Sequence, residues 1–307
     1  MPTHATIHQH HLGWDHNEPP VAHIAPGETL ELNCQEASGG QIGPASTLAQ
    51  FRDYDTRRAN PLTGPVYVDG AAPGDALAVT VTGLATSGWG WTGVLPDFGL
   101  LADAFPQHHL IISRHDDRTI EFLPGVHLPL RPFIGTLGVA PAASGRHSVI
   151  PPRRVGGNMD CRDLIAGSRV ILPVEVPGAL LSVGDTHAAQ GDGEVCGTAI
   201  ESPMTCQLQI DLLKGAAPAY PQLEVPAGPL RRETDQGFLV TTGIGPDLMT
   251  ATRDAVRGLI DVLGQRHGMA PEDAYCLASV SADLHISEVV DAPNWLVSAY
   301  FPNAIMG

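Results

Sequence analysis

Lysine is almost missing from this chain of 307 residues, and Lys214 is the single one. Lysine and arginine together supply 17 basic side chains against 33 acidic ones, for a formal charge of −16. A surface so acidic repels a phosphate backbone, which argues against nucleic acid as a partner. Also absent is any apolar run of about 18 or more residues, the length that crosses a bilayer, so no membrane partner is expected. The opening Met1-Pro2-Thr3-His4-Ala5 has neither the basic start nor the apolar stretch of a secretion signal. The five cysteines, Cys34, Cys161, Cys196, Cys206 and Cys276, form no C-x-x-C pair. A chain of this size needs no disulfide staples, and a cytoplasmic setting is expected.

Missing motifs narrow the chemistry further. Nucleophile relays built on Ser-Ser-Lys or on Glu-Lys-Cys hold a lysine beside the nucleophile. Lys214 follows an apolar segment and precedes Gly215, where it reads as a cation at a helix C-terminus. G-x-S-x-G, H-E-x-x-H and a phosphate-binding Gly-Lys loop do not occur.

What is present is a core-forming composition, 43% hydrophobic and 16% charged, with 34 glycines and 27 prolines that favour short strands and tight turns. The pattern Pro-Gly-x-x-Leu-x-Leu/Val occurs at Pro26-Gly27, Pro73-Gly74 and Pro177-Gly178. Pro-Gly sets a turn, and the alternation after it is that of a strand with one buried face. Further strands are expected at 76–82, 110–113, 169–176, 237–242 and 296–301. Apolar spacing predicts a helix over 246–266 with Gly268 as its stop, and shorter helices over 205–213 and 271–278. The expected fold is mostly β (α+β), a β-sandwich-like body with a few accessory helices. It forms a single catalytic domain over 1–307 with two interleaved lobes, 1–145 and 146–307, and a loop-rich junction at 138–158.

Ligand-type side chains concentrate in Gly184-Asp185-Thr186-His187-Ala188-Ala189-Gln190-Gly191-Asp192-Gly193-Glu194. On an extended chain Asp185 and His187 project to one side, as do Asp192 and Glu194. The glycines between them let the backbone approach a ligand. The preceding apolar run, 179–183, reads as a buried strand that ends before Asp185 and opens into a metal-binding loop. An acidic surface turn with one histidine is the plainer alternative. Gly156-Gly157-Asn158-Met159-Asp160 is a second candidate: an Asn amide to bind a substrate and an Asp to complete a metal shell, or simply an Asx-type turn. His8-Gln9-His10-His11 with Trp14 is a candidate lining for a site mouth. Asp283, His285 and Glu288 read as decoration of a strand or loop.

The 156–160 and 184–201 runs resemble the signatures of the acetamidase/formamidase family. The likeness extends to Asn60-Pro-Leu-Thr-Gly-Pro65, Ala71-Ala-Pro-Gly-Asp75, Pro132-Phe-Ile-Gly-Thr-Leu-Gly138 and the closing 283–302, so it covers nearly the whole chain. It implies a cytoplasmic, homo-oligomeric enzyme that hydrolyses formamide, acetamide or similar short amides to a carboxylate and ammonia. A divalent metal, zinc first and calcium second, comes with that resemblance. Within it, Asp160, Asp185 and His187 are expected to hold the metal, which acidifies a water and polarises the amide carbonyl. Glu194 is expected to move the water proton to the departing nitrogen. Asn158 and the backbones of Gly157 and Gly191 are expected to bind the substrate. Two rivals are a cysteine-nucleophile amidase using Cys196, and a non-catalytic β-sandwich module holding calcium through oxygen ligands alone.

Overall fold

All three Pro-Gly turns lead into strands: Thr29–Cys34, Ala76–Thr86 and Leu181–His187. The computed structural model describes residues 5–226, 236–290 and 292–306, so most of the opening segment (1–4) lies outside the described residues. The expected strands at 76–82, 110–113, 169–176, 237–242 and 296–301 correspond to Ala76–Thr86, His109–His115, Arg169–Pro173, Phe238–Gly245 and Trp295–Pro302. The chain is mostly strand with few helices, a mostly-β α+β fold.

Two six-stranded sheets form the body. In one, Thr29–Cys34, Met204–Leu213, Ala76–Thr86 and Arg169–Pro173 lie side by side, with Ala5–Ile7 and Gln222–Glu224 at the edges. In the other, Leu181–His187 runs between Phe133–Gly138 and Leu62–Val68. Gly156–Asn158 pairs with the outer edge of Phe133–Gly138. One apolar cluster draws Leu32, Val79, Val170 and Leu208 from the first sheet and Val66, Leu137 and Val183 from the second. The sheets are therefore joined through their inner faces. Strands from before and after residue 145 are neighbours in both sheets.

A second core lies under the helices. Leu248–His267 is N-capped by Asp247, which accepts from the Thr250 amide at 2.9 Å, and ends at Gly268 with φ +64°. Its buried face, Ala251, Ala255, Val256, Leu259, Ile260 and Leu263, follows the helical spacing read from the sequence. Pro271–Ser281 is the other long helix, with Pro271 in its first turn and every residue from Ala274 to Ser281 buried.

One predicted helix is a strand. Residues 205–213 belong to Met204–Leu213, which pairs on both edges, with Thr29–Cys34 and with Ala76–Thr86. Cys206, Leu208, Ile210 and Leu212 alternate with polar residues, the period of two that a one-face-buried strand requires. Lys214 is accordingly no helix-terminal cation. Its Nζ sits 2.6 Å from Asp75 Oδ2, which ties the end of that strand to the 71–75 turn. That lysine, with the Gly215 amide at 2.9 Å, holds the Asp75 carboxyl down at about 2.

Candidate active site

Every residue of the strand Leu181–His187 is buried. It does not stop before Asp185, as the sequence suggested, but carries Asp185 and His187 within it. Pairing with Phe133–Gly138 continues as far as His187, and past Gly184 the 201–202 segment replaces Leu62–Val68 on the other side, taking up backbone groups that a loop would leave free. Asp185 adopts φ +51°, so the strand's simple alternation is broken at the one residue whose carboxylate meets the histidine. The facing strand supplies Gly135. A Cβ there would lie 2.6 Å from the Asp185 carbonyl oxygen and 2.8 Å from both Asp160 Oδ1 and His187 Cε1. Only a residue without a side chain leaves room for this cluster.

His187 is the hub. Its Nε2 lies 3.2 Å from Asp185 Oδ1 and 3.2 Å from Glu201 Oε2. Its Nδ1 is 3.0 Å from Gln190 Oε1, and Gln190 Nε2 donates to the Asp160 carbonyl at 2.9 Å. Because that carbonyl can only accept, the Gln190 amide oxygen faces the ring, and His187 Nδ1 must donate to it. A neutral imidazole then turns the Nε2 lone pair toward the two carboxylates, the arrangement of a metal-binding histidine oriented by a neighbour.

The acids are aimed in the same way. Asn158 Nδ2 donates to Asp160 Oδ2 at 3.0 Å, and Thr136 Oγ1 donates to Asn158 Oδ1. Thr136 Oγ1 also lies 3.4 Å from Asp185 Oδ2. The Ala199 amide donates to Glu201 Oε1 at 2.8 Å. Each carboxylate thus has one oxygen held and the other turned inward. Asp160 Oδ1, Asp185 Oδ1, His187 Nε2 and Glu201 Oε2 are all buried without a hydrogen-bond partner. Ligand atoms of Asp160, Asp185 and His187 lie within 4.8 Å of one another, and so do those of His187, Glu194 and Glu201. Buried polar atoms are rarely left orphaned, and four converging on one point fit a divalent cation.

Charge supports the same fit. Burial and the neighbouring Asp185 push Asp160 up to about 7. Burial and Asp185 likewise push Glu201 up to about 8, against the pull of His187. Burial, then Asp160, holds Glu194 well above the carboxylate range. Burial raises Asp185 too, but His187 beside it outweighs this and holds the carboxyl low. Burial would lower His187, yet the Glu201 and Asp185 carboxylates hold it well above the usual imidazole value. This crowd of acids lacks positive charge.

Backbone strain gathers here as well. Among the described residues seven non-glycines have positive φ, and Asp160, Asp185, Glu194, Asn60 and Asp97 are five of them. All five hold ligand atoms in the cluster or line the cavity above it. Such strain, about 1–3 kcal/mol per residue, persists where surroundings over-determine a functional geometry.

That cavity is about 540 Å³ and is lined at its base by Asn158, Asp185, Glu194 and Glu201. Of the substrate-binding residues expected from sequence, Asn158 lines it, whereas Gly157 and Gly191 do not. Gly157 packs behind, against the Trp14 ring. Gly191 is pressed on the end of the C-terminal helix, where a Cβ would fall 2.0 Å from the Ala282 carbonyl oxygen. Cys196 is fully buried and does not itself line the cavity, its Sγ 3.7 Å from the Gly93 carbonyl and 3.6 Å from the Thr198 carbonyl. His10 and His11 line a different, smaller pocket. His285 stacks on Tyr300 on an exposed strand. Glu201, Gln190 and Thr136 were not singled out from sequence. All three lie within the runs that carry the family resemblance, Thr136 in 132–138 and Gln190 and Glu201 in 184–201.

The sequence model of the Acetamidase/Formamidase family matches residues 2–149 and 142–307. A formamidase from Methylophilus methylotrophus is 29% identical over 97% of this chain and 89% of its own length. An acetamidase from Mycolicibacterium smegmatis is 30% identical over 68% of this chain and 67% of its own. A solved structure of a gamma lactamase from Delftia acidovorans superposes with a TM-score of 0.90 at 27% identity, covering 97% of this chain and 89% of that one.

Proposed function

This chain belongs to the acetamidase/formamidase family and is an amidase, and we propose that it hydrolyses a primary amide to a carboxylate and ammonia at a divalent metal held by Asp160, Asp185 and His187. Short linear amides such as formamide and acetamide are the smallest members of that substrate class. The observation that carries the reading is the convergence of the orphaned Asp160, Asp185, His187 and Glu201 atoms beside one cavity, which Asp185 and Glu201 line. Zinc fits better than calcium, because the inward-facing His187 nitrogen is a donor that calcium sites do not use. When bound, such a cation acidifies a water and polarises the amide carbonyl.

The chain's own residues supply the remainder. In the net reaction a C–O bond forms between water and the carbonyl carbon, the C–N bond breaks, and the nitrogen leaves with an added proton. Glu194 is the proton carrier: it lines the cavity beside the cluster, and burial holds its carboxyl above the ordinary carboxylate range, the direction that role requires. Asn158 has its carbonyl engaged by Thr136 and one N–H by Asp160, so its second N–H is free for the substrate oxygen. Glu201 brings Oε2 to within 3.2 Å of the same His187 Nε2 and adds its negative charge to the inward cluster. No described helix is long and apolar enough to cross a membrane. A cytoplasmic enzyme formed as one domain over 1–307 agrees with five unpaired cysteines and with sheets shared along the chain. Val240 and Ile244, exposed four apart on one face of a strand, offer an apolar strip for a homo-oligomer contact.

The test is ammonia release from a panel of amides, before and after chelation and with zinc or calcium restored. Turnover lost on chelation and restored by zinc is expected. Absence of turnover in every metal state overturns the reading, and chelator-resistant turnover overturns its metal step.

A further inference from the structure

The cavity is far larger than its named small substrates require. An apolar cavity of about 150 Å³ already takes a benzene ring, and this one is about 540 Å³. Acetamide at the Asp185–Glu201 floor would leave most of that space to water. Binding sites of this volume normally enclose ligands of several rings or chains, gripped by apolar walls.

The walls here are of that kind. Tyr54, Trp91, Leu95, Phe98, His108 and Ile150 stand above the acids. Trp91 is rigidly set, with its Nε1 donating to Glu36 Oε2 at 2.6 Å and its ring edge-on to Phe51 at 5.4 Å. The floor and this wall are joined by backbone. Glu201 exchanges hydrogen bonds with Trp91, N to O at 2.9 Å and 2.8 Å, and also bridges His187. Directly paired residues project to the same side of a sheet, so His187, Glu201 and Trp91 form one row running from the reacting end to the apolar wall. A substrate whose carbonyl meets the floor must lay the rest of its body along Trp91.

Charge limits what that body can carry. Asp97, Asp185, Glu194 and Glu201 line the cavity, and no lysine or arginine does among the described residues. An anionic group on the substrate is repelled, and so is the carboxylate product once it forms.

Resting on the amidase reading above, we propose that the preferred substrate is a primary amide with an uncharged, ring-sized apolar acyl group, and that the Tyr54–Trp91–Phe98 wall selects it over acetamide. Water adds to its carbonyl carbon, the C–N bond breaks, and the products are the ring-bearing carboxylate and ammonia.

The experiment compares kcat/KM for acetamide, phenylacetamide and 4-carboxyphenylacetamide on the zinc-loaded enzyme and on its Ala59→Trp variant; Ala59 also lines the cavity, so the larger side chain narrows it. Phenylacetamide is expected to exceed acetamide by tenfold or more, and the added carboxylate to remove that gain. Ala59→Trp is expected to lower the phenylacetamide-to-acetamide ratio by tenfold or more. Acetamide turned over as well as phenylacetamide, or a ratio unmoved by Ala59→Trp, overturns the proposal and leaves the amidase reading intact. Should no amide be turned over, that reading fails on its own. Tryptophan-fluorescence titration with acetophenone and acetone then decides the wall's preference: tighter acetophenone binding supports it, and equal affinity overturns it.

Discussion

Two groups of acids flank the 190–194 loop, each with buried members, and they are built on opposite principles. On one side Asp283, 1% exposed, and Asp192 meet Arg162, whose Nη1 lies 2.5 Å from Asp283 Oδ1 and whose Nε lies 3.3 Å from Asp192 Oδ1. That guanidinium also donates to the Gln190 carbonyl at 3.2 Å. On the other side Asp160, Asp185, Glu194 and Glu201 crowd one histidine and leave inward atoms without partners. The first group carries its own cation and fastens the loop to the strand Asp283–Glu288, where the Leu284 amide donates to the Asp192 carbonyl at 3.0 Å. The second has no arginine or lysine among its described partners, and the metal proposed above would supply the missing positive charge. Burial of acids alone therefore does not mark a site; burial with an unmet charge does.

His187→Ala attacks the second group and should give the largest effect, a fall in kcat/KM of about a thousandfold or more with the metal step lost. A circular-dichroism melt should find the variant folded, since the acids around it can take up protons. Near-normal activity in this variant would erase the contrast between the groups.

Arg162→Met tests the first group. Removing one partner of a buried ion pair strands the other charge, and a loss of about 3–5 kcal/mol in stability is expected from denaturant unfolding. Added zinc should not rescue it. Gln190→Ala, at the boundary, should weaken metal affinity by about 10- to 100-fold, because the tautomer of His187 is no longer fixed. A zinc competition titration measures that directly.

A pH series separates the groups more gently. Asp160 and Glu201 are raised to about 7 and about 8, above the ordinary carboxylate range of about 4. Between those values the folded chelated protein binds more protons than the unfolded one, so its stability is highest in acid and falls as pH rises through 7 to 8. The melting temperature of the chelated enzyme should drop across that window. Zinc, or the pair Asp160→Asn with Glu201→Gln, should flatten the slope. The smallest change is expected from Cys196→Ala, whose kcat/KM should stay within a few-fold of the parent; abolished activity would return the thiol to the chemistry.

Much of the fold could be read locally. The Pro-Gly turns, the helix closed by Gly268 and most strands follow from backbone preference and apolar period, which act over a few residues. Met204–Leu213 was misread because its apolar positions were matched to a helix, although they alternate with period two as one strand of a sheet does. Its two neighbours, Thr29–Cys34 and Ala76–Thr86, are more than a hundred residues away in the chain.

The site divides in the same way. Asp160, Asp185, His187, Glu194 and Asn158 were legible as polar side chains set among glycines, and the long runs that contain them pointed to the family. Gly157 and Gly191 looked like ligand-binding glycines for the same reason, yet one packs on Trp14 and the other on Ala282. A sequence tells that a backbone must come close to something, but not to what.

By itself, then, the sequence determined which side chains could bind a cation, which nucleophile relays were impossible without lysine, and where most strands begin. Only the tertiary structure decided that Glu201 and Gln190 act on His187, that Thr136 orients Asn158, and that Trp91 stands over the reacting end. Those relations depend on strand pairing between distant segments, and pairing register is fixed by the packing of whole sheets.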